Sequence, residues 1–153
     1  MILTLITIWC ASRYLQLPDA PDMAGRFRIV AASWAVVALV VFAIIAHIGN
    51  LRFLSPIGIN PLDPQGDPKI AVYSRILQNT LEQSFVFCML AGAAATASDG
   101  SVGVVSVATV TFVLGRILFA VGYLHGWQYR APGMAMTFAS NIALFIVVGK
   151  SFL

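Results

Sequence analysis

Residues 29–48 form a run of twenty residues without a single Asp, Glu, Lys or Arg. As a helix rising 1.5 Å per residue, this run is about 30 Å long, which matches the hydrocarbon core of a bilayer. Only 10% of the 153 residues are charged and 59% are hydrophobic, whereas about a quarter of a soluble domain is charged. The chain is therefore predicted to be an integral, multi-pass membrane protein.

Three more helices are predicted from the turn signals, giving spans at about 29–48, 69–96, 101–128 and 132–153. Residues 51–68 contain four prolines and are predicted to form the one substantial loop. The other connections are short, and short connections join antiparallel neighbours. The predicted fold class is an all-α membrane protein with a four-transmembrane-helix up-down bundle over residues 29–153.

Residues 1–28 are predicted to be a short apolar N-terminal segment and a linker. Residues 1–12 are apolar but too short to span the core, so we expect an interfacial or disordered segment. A net charge of +3 is too small to indicate nucleic-acid binding in a chain this apolar. The two cysteines and two histidines lack metal-ligand spacing, so no metal is expected. Lys and Arg are nearly balanced between the two sides, which leaves the orientation open.

A polar stripe interrupts the second predicted helix at helical spacing: Arg75, Gln78, Asn79 and Glu82. Ionisable groups in a span cost at least ~2.5 to 3.5 kcal/mol each at a helix centre and mark functional sites by default. Arg75 and Glu82 are roughly 10 Å apart along the helix, too far for direct pairing. We therefore expect Glu82 to pair with Arg116, which lies in the middle of the third helix.

The balance of charge inside the predicted spans favours an anionic ligand. Glu82 is the only acidic residue of the second and third spans, so a pair with Arg116 would leave Arg75 without a carboxylate. Tyr123 and Arg130 follow Arg116 by seven and fourteen residues and extend its face. A purely structural interpretation remains open, with interhelical hydrogen bonds along the stripe and Arg130 bound to lipid phosphates.

Two or three arginines, one carboxylate, an amide and a phenol suit a small zwitterion with two carboxylates and one amine. Arginine forks bind carboxylates, and Glu82 can accept from an ammonium group. Glutathione is such a molecule, although many other anions fit the same set. The other candidate ligand-binding residues on this basis are Arg75, Asn79, Arg116, Tyr123 and Arg130.

Three segments at matched spacing resemble the MAPEG family, the membrane-associated proteins in eicosanoid and glutathione metabolism: residues 75–82, 115–123 and 130–133. The resemblance covers roughly residues 29–153. It implies a homotrimer of four-helix subunits, with glutathione bound between neighbouring subunits near one membrane face. Two positions depart from the family pattern, because Val72 replaces an arginine and Phe119 replaces a tyrosine or histidine of several members.

The resemblance also implies roles for individual residues. It assigns glutathione binding to Arg75, Asn79, Glu82 and Tyr123, and it assigns Arg52 to the site of the neighbouring subunit. Arg130 resembles the arginine that stabilises the thiolate. Arg116 joins the glutathione-binding set through the helix face that it shares with Tyr123.

The expected function is a membrane-embedded glutathione transferase that acts in detoxification. It would use glutathione as co-substrate, conjugate its thiolate to lipophilic electrophiles from the bilayer, and show glutathione peroxidase activity. The alternative is a non-catalytic protein that binds and presents lipid, since the family includes a five-lipoxygenase-activating protein. A transporter is disfavoured because residues 86–95 and 102–114 are mainly apolar and contain no charged residue, which argues against a continuous polar path across the membrane.

Overall fold

The structure, a computed structural model, describes residues 1–14, 22–55, 57–58, 60, 66–97, 101–126 and 128–153. Five helices contain most of these residues: α1 (Ile2–Tyr14), α2 (Met23–Leu54), α3 (Pro68–Ala95), α4 (Ser101–His125) and α5 (Ala131–Lys150). The all-α prediction is confirmed, since the described residues contain no strand. Helices α2 to α5 lie at the four predicted spans, and residues 2–14 form an additional helix before them, so that the described residues contain five helices.

Three helices have the length and composition to cross a membrane, namely α2, the 102–125 part of α4, and α5. In the part of the chain that the structure describes, α3 is not among them, although it has 28 residues. Its polar stripe lowers the apolar content that a lipid-facing span needs. Since α3 packs against α2, α4 and α5, it brings polar groups into the bundle.

The consecutive helices α2 and α3 run antiparallel, in agreement with the predicted up-down arrangement. At one end of the bundle, Arg26 near the start of α2 donates through Nη1 to the carbonyl oxygen of Ala97, just after α3, at 2.6 Å. At the other end, the rings of His47 and Tyr73 meet edge to face with centroids 4.4 Å apart. These two contacts join opposite ends of α2 to opposite ends of α3.

One half of the bundle has a mainly apolar core, in which the buried hydroxyl groups of Ser33 and Thr109 donate to carbonyl oxygens of their own helices. This apolar half lies where α2 and α4 begin and where α3 and α5 end. The rings of Phe87 on α3 and Phe112 on α4 pack there with centroids 4.6 Å apart. Small side chains surround the rings and allow close helix packing. The buried cluster consists of Val30, Val37, Phe87, Ala91, Ala94, Ala95, Val105, Ala108, Phe112 and Leu144.

Helix α1 is an addition to the predicted bundle. It packs against α4 and α5, and Ile8 is buried at 2% exposure. Among the described residues it makes no contact with α2 or α3, so it lies on the outside of the α4–α5 pair. Its 13 residues would extend about 20 Å, which is shorter than a bilayer core. The described part of the apolar N-terminal segment is therefore a helix packed against α4 and α5 that is shorter than a membrane span.

Candidate functional site

The second half of the bundle holds the polar residues, and we call it the polar half. It lies where α2 and α4 end and where α3 and α5 begin. Arg75, Gln78 and Glu82 are exposed on the outer face of α3, and Gln78 donates through Nε2 to Glu82 Oε1 at 3.3 Å. Arg75 has no hydrogen-bond or ionic partner within the described ranges. The same face continues with exposed Phe85 and Met89.

The inner side of the polar half is organised by Arg116, which is 1% exposed. Its Nε and Nη2 atoms donate to Thr137 Oγ1 at 3.0 and 2.7 Å, and Nη1 donates to Asn79 Oδ1 at 2.9 Å. The ring of Phe119 lies 4.6 Å from the guanidinium carbon. The ring of Phe112 lies 5.9 Å from the same atom. Dipoles and aromatic faces thus stabilise this cation in place of an anion.

The predicted ion pair between Arg116 and Glu82 is wrong. Glu82 lies on the outer face of α3 and accepts from Gln78, whereas Arg116 points inward and contacts Asn79. Asn79 and Glu82 are three residues apart, so their side chains differ by about 60° around the helix. Because of this difference in direction, the amide of Asn79 faces Arg116 and the carboxylate of Glu82 does not. This arrangement also places Arg116 in the interior of the helix bundle, away from the surface.

Arg130 occupies a different position, at the residue before α5. Its guanidinium carbon lies 5.3 Å from the centroid of the Tyr123 ring, which is within cation–π range. The side chain is half-buried. Its backbone carbonyl accepts from Met134 N at 3.1 Å, which begins the first turn of α5. Arg130 and Tyr123 therefore form a second cation–aromatic pair, nearer the end of the bundle than Arg116.

Glycines bring α4 and α5 close enough to hold this pair. A Cβ atom at Gly122 would overlap the Tyr129 carbonyl oxygen and lie 2.9 Å from Arg130 N. A Cβ atom at Gly133 would overlap Phe119 N and lie 2.7 Å from Phe119 Cα. At both positions the two backbones touch, and only glycine leaves room for that contact. The position of Arg130 thus depends on the absence of a side chain at Gly122.

The structure brings together two pairs of the predicted site residues, Arg116 with Asn79 and Arg130 with Tyr123. In the described part of a single chain, no hydrogen bond, ion pair or ring contact links Arg75, Glu82 or Arg52 to either pair. Arg52 is exposed in the last turn of α2. Residues that the family resemblance places in one site are therefore divided between the interior and the surface of the single chain.

Sequence reasoning missed several residues of the polar half. Thr137 accepts from Arg116 and donates to Gly133 O at 2.9 Å. Asn141, one turn further along α5, donates through Nδ2 to Gln83 Oε1 at 3.0 Å. The available signal was the run of polar residues at i, i+4 on both helices, Asn79 with Gln83 and Thr137 with Asn141. These rows face each other in the folded bundle.

Among the described residues, no group of three or more His, Cys, Asp or Glu side chains is arranged to hold a metal ion. Near the start of α3, Asp67 accepts from Lys69 N at 2.8 Å and from Ser55 Oγ at 2.9 Å. These hydrogen bonds favour the charged carboxylate and lower the pKa of Asp67 from its ordinary value of 3.8.

The sequence matches the MAPEG family over residues 20–150. A comparison with curated proteins finds no match. The matched segment includes α2 to α5 and excludes α1. Members of this family are membrane proteins, in agreement with the three helices capable of crossing a bilayer, so the predicted multi-pass membrane localisation is confirmed. The chain belongs to the MAPEG family.

Proposed function

We propose that this protein is a membrane glutathione transferase. The observation that carries the proposal is the state of Arg130. Its guanidinium lies over Tyr123 and has no hydrogen-bond partner among the described residues, so its N–H donors remain available to a ligand. Arg116, by contrast, uses its donors on Asn79 and Thr137. Of the two arginines that lie over aromatic rings, Arg116 and Arg130, only Arg130 is suited to stabilise a substrate anion.

The exposed charges of α3 support assembly into the homotrimer that the family resemblance implies. Arg75 and Glu82 lie on the surface of one subunit, and a charge facing lipid is costly. The exposed residues Arg75, Gln78, Glu82, Phe85 and Met89 follow the three-and-four spacing of a helix–helix interface. Copies of α3 packed around one axis would remove this face from lipid and enclose a polar space.

Glutathione fits the residues around that space. We assign Arg75 to a carboxylate of the tripeptide and Glu82 to its ammonium group. Asn79 and Tyr123 supply neutral hydrogen-bonding groups, and Arg52 reaches in from the neighbouring subunit. Arg116 is placed one layer behind Asn79 and does not contact glutathione. This assignment changes the role expected for Arg116 and keeps the other site residues.

Arg130 would then lower the pKa of the glutathione thiol by stabilising the thiolate. The thiolate forms a carbon–sulfur bond with a lipophilic electrophile, and the electron pair displaced from carbon leaves with the leaving group or stays on the adduct. Binding both reactants in one site supplies the proximity that accelerates the reaction. With a hydroperoxide, two glutathione molecules would yield an alcohol, water and glutathione disulfide.

The test is the ultraviolet thiolate absorbance of glutathione mixed with purified protein. We expect the band for wild type and its loss in Arg130→Ala. Arg130→Lys should retain part of it, because a lysine keeps the charge without the planar fork. Arg28→Ala is the matched control. Arg28 is exposed near the start of α2, at the end of the bundle opposite to Arg130, so its replacement should leave the band unchanged. Full thiolate absorbance in folded Arg130→Ala would refute the catalytic role.

The second candidate is a non-catalytic protein that binds and presents lipid. One observation favours it: Phe119 is buried at 1% under Arg116, so this position offers no hydroxyl or imidazole to a thiolate. Calorimetry in detergent distinguishes the two candidates. Glutathione binding by wild type supports the transferase, whereas its absence together with binding of a fatty-acid probe supports the lipid-binding protein.

A further inference from the structure

The buried hydrogen bonds of the polar half form one continuous chain across three helices. Thr137 on α5 donates its hydroxyl hydrogen to Gly133 O at 2.9 Å and accepts from Arg116 Nε and Nη2. Arg116 on α4 then donates through Nη1 to Asn79 Oδ1 on α3 at 2.9 Å. Arg116 and Thr137 are almost completely buried, with 1% and 0% exposure.

The chemistry of the side chains determines which group donates and which accepts in this series of hydrogen bonds. A guanidinium group has only donors, so the group facing it must be an acceptor. An amide has one carbonyl oxygen and one NH₂ group. The reverse orientation of Asn79 would set its NH₂ group against the N–H donors of Arg116. The carbonyl oxygen therefore faces inward, and the NH₂ group is directed elsewhere.

The NH₂ group belongs to a side chain that is only partly buried, on the helix that carries Arg75 and Glu82. We infer that Arg116 is a positioning residue that fixes Asn79 as a hydrogen-bond donor to the ligand. This inference rests on the proposed function. It places an oxygen acceptor of glutathione, either a carboxylate or a carbonyl oxygen, within hydrogen-bonding distance of the Asn79 NH₂ group. Arg116 thus contributes to ligand selection without touching the ligand.

Asn79→Asp is the first test, because it keeps the shape and replaces the NH₂ group by an acceptor oxygen. One carboxylate oxygen would remain with Arg116 and give this buried cation a counter-charge, so we expect the melting temperature to rise. The other oxygen would oppose the ligand oxygen, so we expect glutathione binding to weaken by about 10- to 100-fold. Asn79→Ala should lower both the melting temperature and the affinity.

Thr137 provides a matched pair of variants for the second test. Thr137→Ser keeps the hydroxyl that accepts from Arg116, whereas Thr137→Val removes it at nearly constant volume. We expect Thr137→Ser to bind glutathione like wild type and Thr137→Val to bind it several-fold more weakly. In the Asn79→Ala background the difference between the two should disappear, because the effect passes through the Asn79 amide.

The outcomes separate this inference from the proposed function. If wild type binds no glutathione, the proposed function fails, and the assigned ligand oxygen fails with it. If wild type binds but Asn79→Asp binds equally well, the transferase proposal stands and the positioning role is refuted. Equal loss of affinity from Thr137→Val with and without Asn79 would also refute it, since it would show a general packing effect.

Discussion

The two halves of the bundle bury side chains equally well but hold them by different forces. In the apolar half Phe112 is 0% exposed and packs on Phe87. One turn further along α4, in the polar half, Arg116 is 1% exposed and depends on hydrogen bonds to Thr137 and Asn79. Lipid is as apolar as the helix surfaces, so burial alone drives little helix association. In the apolar half the fit between side chains determines how the helices pack, whereas in the polar half the hydrogen bonds determine which side chains pair.

Truncating the core of the apolar half should have the largest effect on stability. Phe87→Ala would leave a cavity against Phe112, and we expect a loss of about 3 kcal/mol. This is the lower end of the range for buried phenylalanines, because lipid in place of water weakens the transfer contribution. Reversible unfolding in mixed detergent measures it. Phe145→Ala, at a side chain that is 65% exposed, is the control and should change stability little.

The polar half should respond in function as well as in stability. Gly122→Ala would push a methyl group against the Tyr129 carbonyl and Arg130 N, at a cost of about 1 to 3 kcal/mol. Because Arg130 would move relative to Tyr123, we also expect a weaker thiolate band with glutathione. Gly149→Ala is the matched control, since a methyl group added there would meet no atom within 4 Å. A Gly122→Ala variant with wild-type stability and absorbance would show that this glycine does not position Arg130.

The two halves also differ in how far the sequence predicts them. The charge-free run at 29–48 predicts a spanning helix because length and composition determine it, and the structure extends that helix to Met23–Leu54. The partner of Arg116 depends on the rotation of α3 against α4, and a turn of about 60° exchanges Glu82 for Asn79. The rotation of α3 relative to α4 cannot be read from the sequence of a single chain. Thr137 was missed for the same reason, because its i, i+4 spacing to Asn141 indicates a polar row but does not say which helix that row faces.

The smallest expected effect concerns the start of α3, at the edge of the polar half. Hydrogen bonds from Lys69 N and Ser55 lower the pKa of Asp67 below 3.8. Its contribution to stability is therefore present above pH 3.8 and is lost as the pH falls through the lower folded-state pKa. We expect Asp67→Ala to lower the melting temperature at pH 7 and to match wild type at the acid end. Asp67→Asn keeps a capping oxygen but cannot titrate, so the difference in melting temperature between Asp67→Asn and Asp67→Ala should not vanish at low pH. A constant difference between wild type and Asp67→Ala at all pH values would contradict the assignment of this cap to the charged carboxylate.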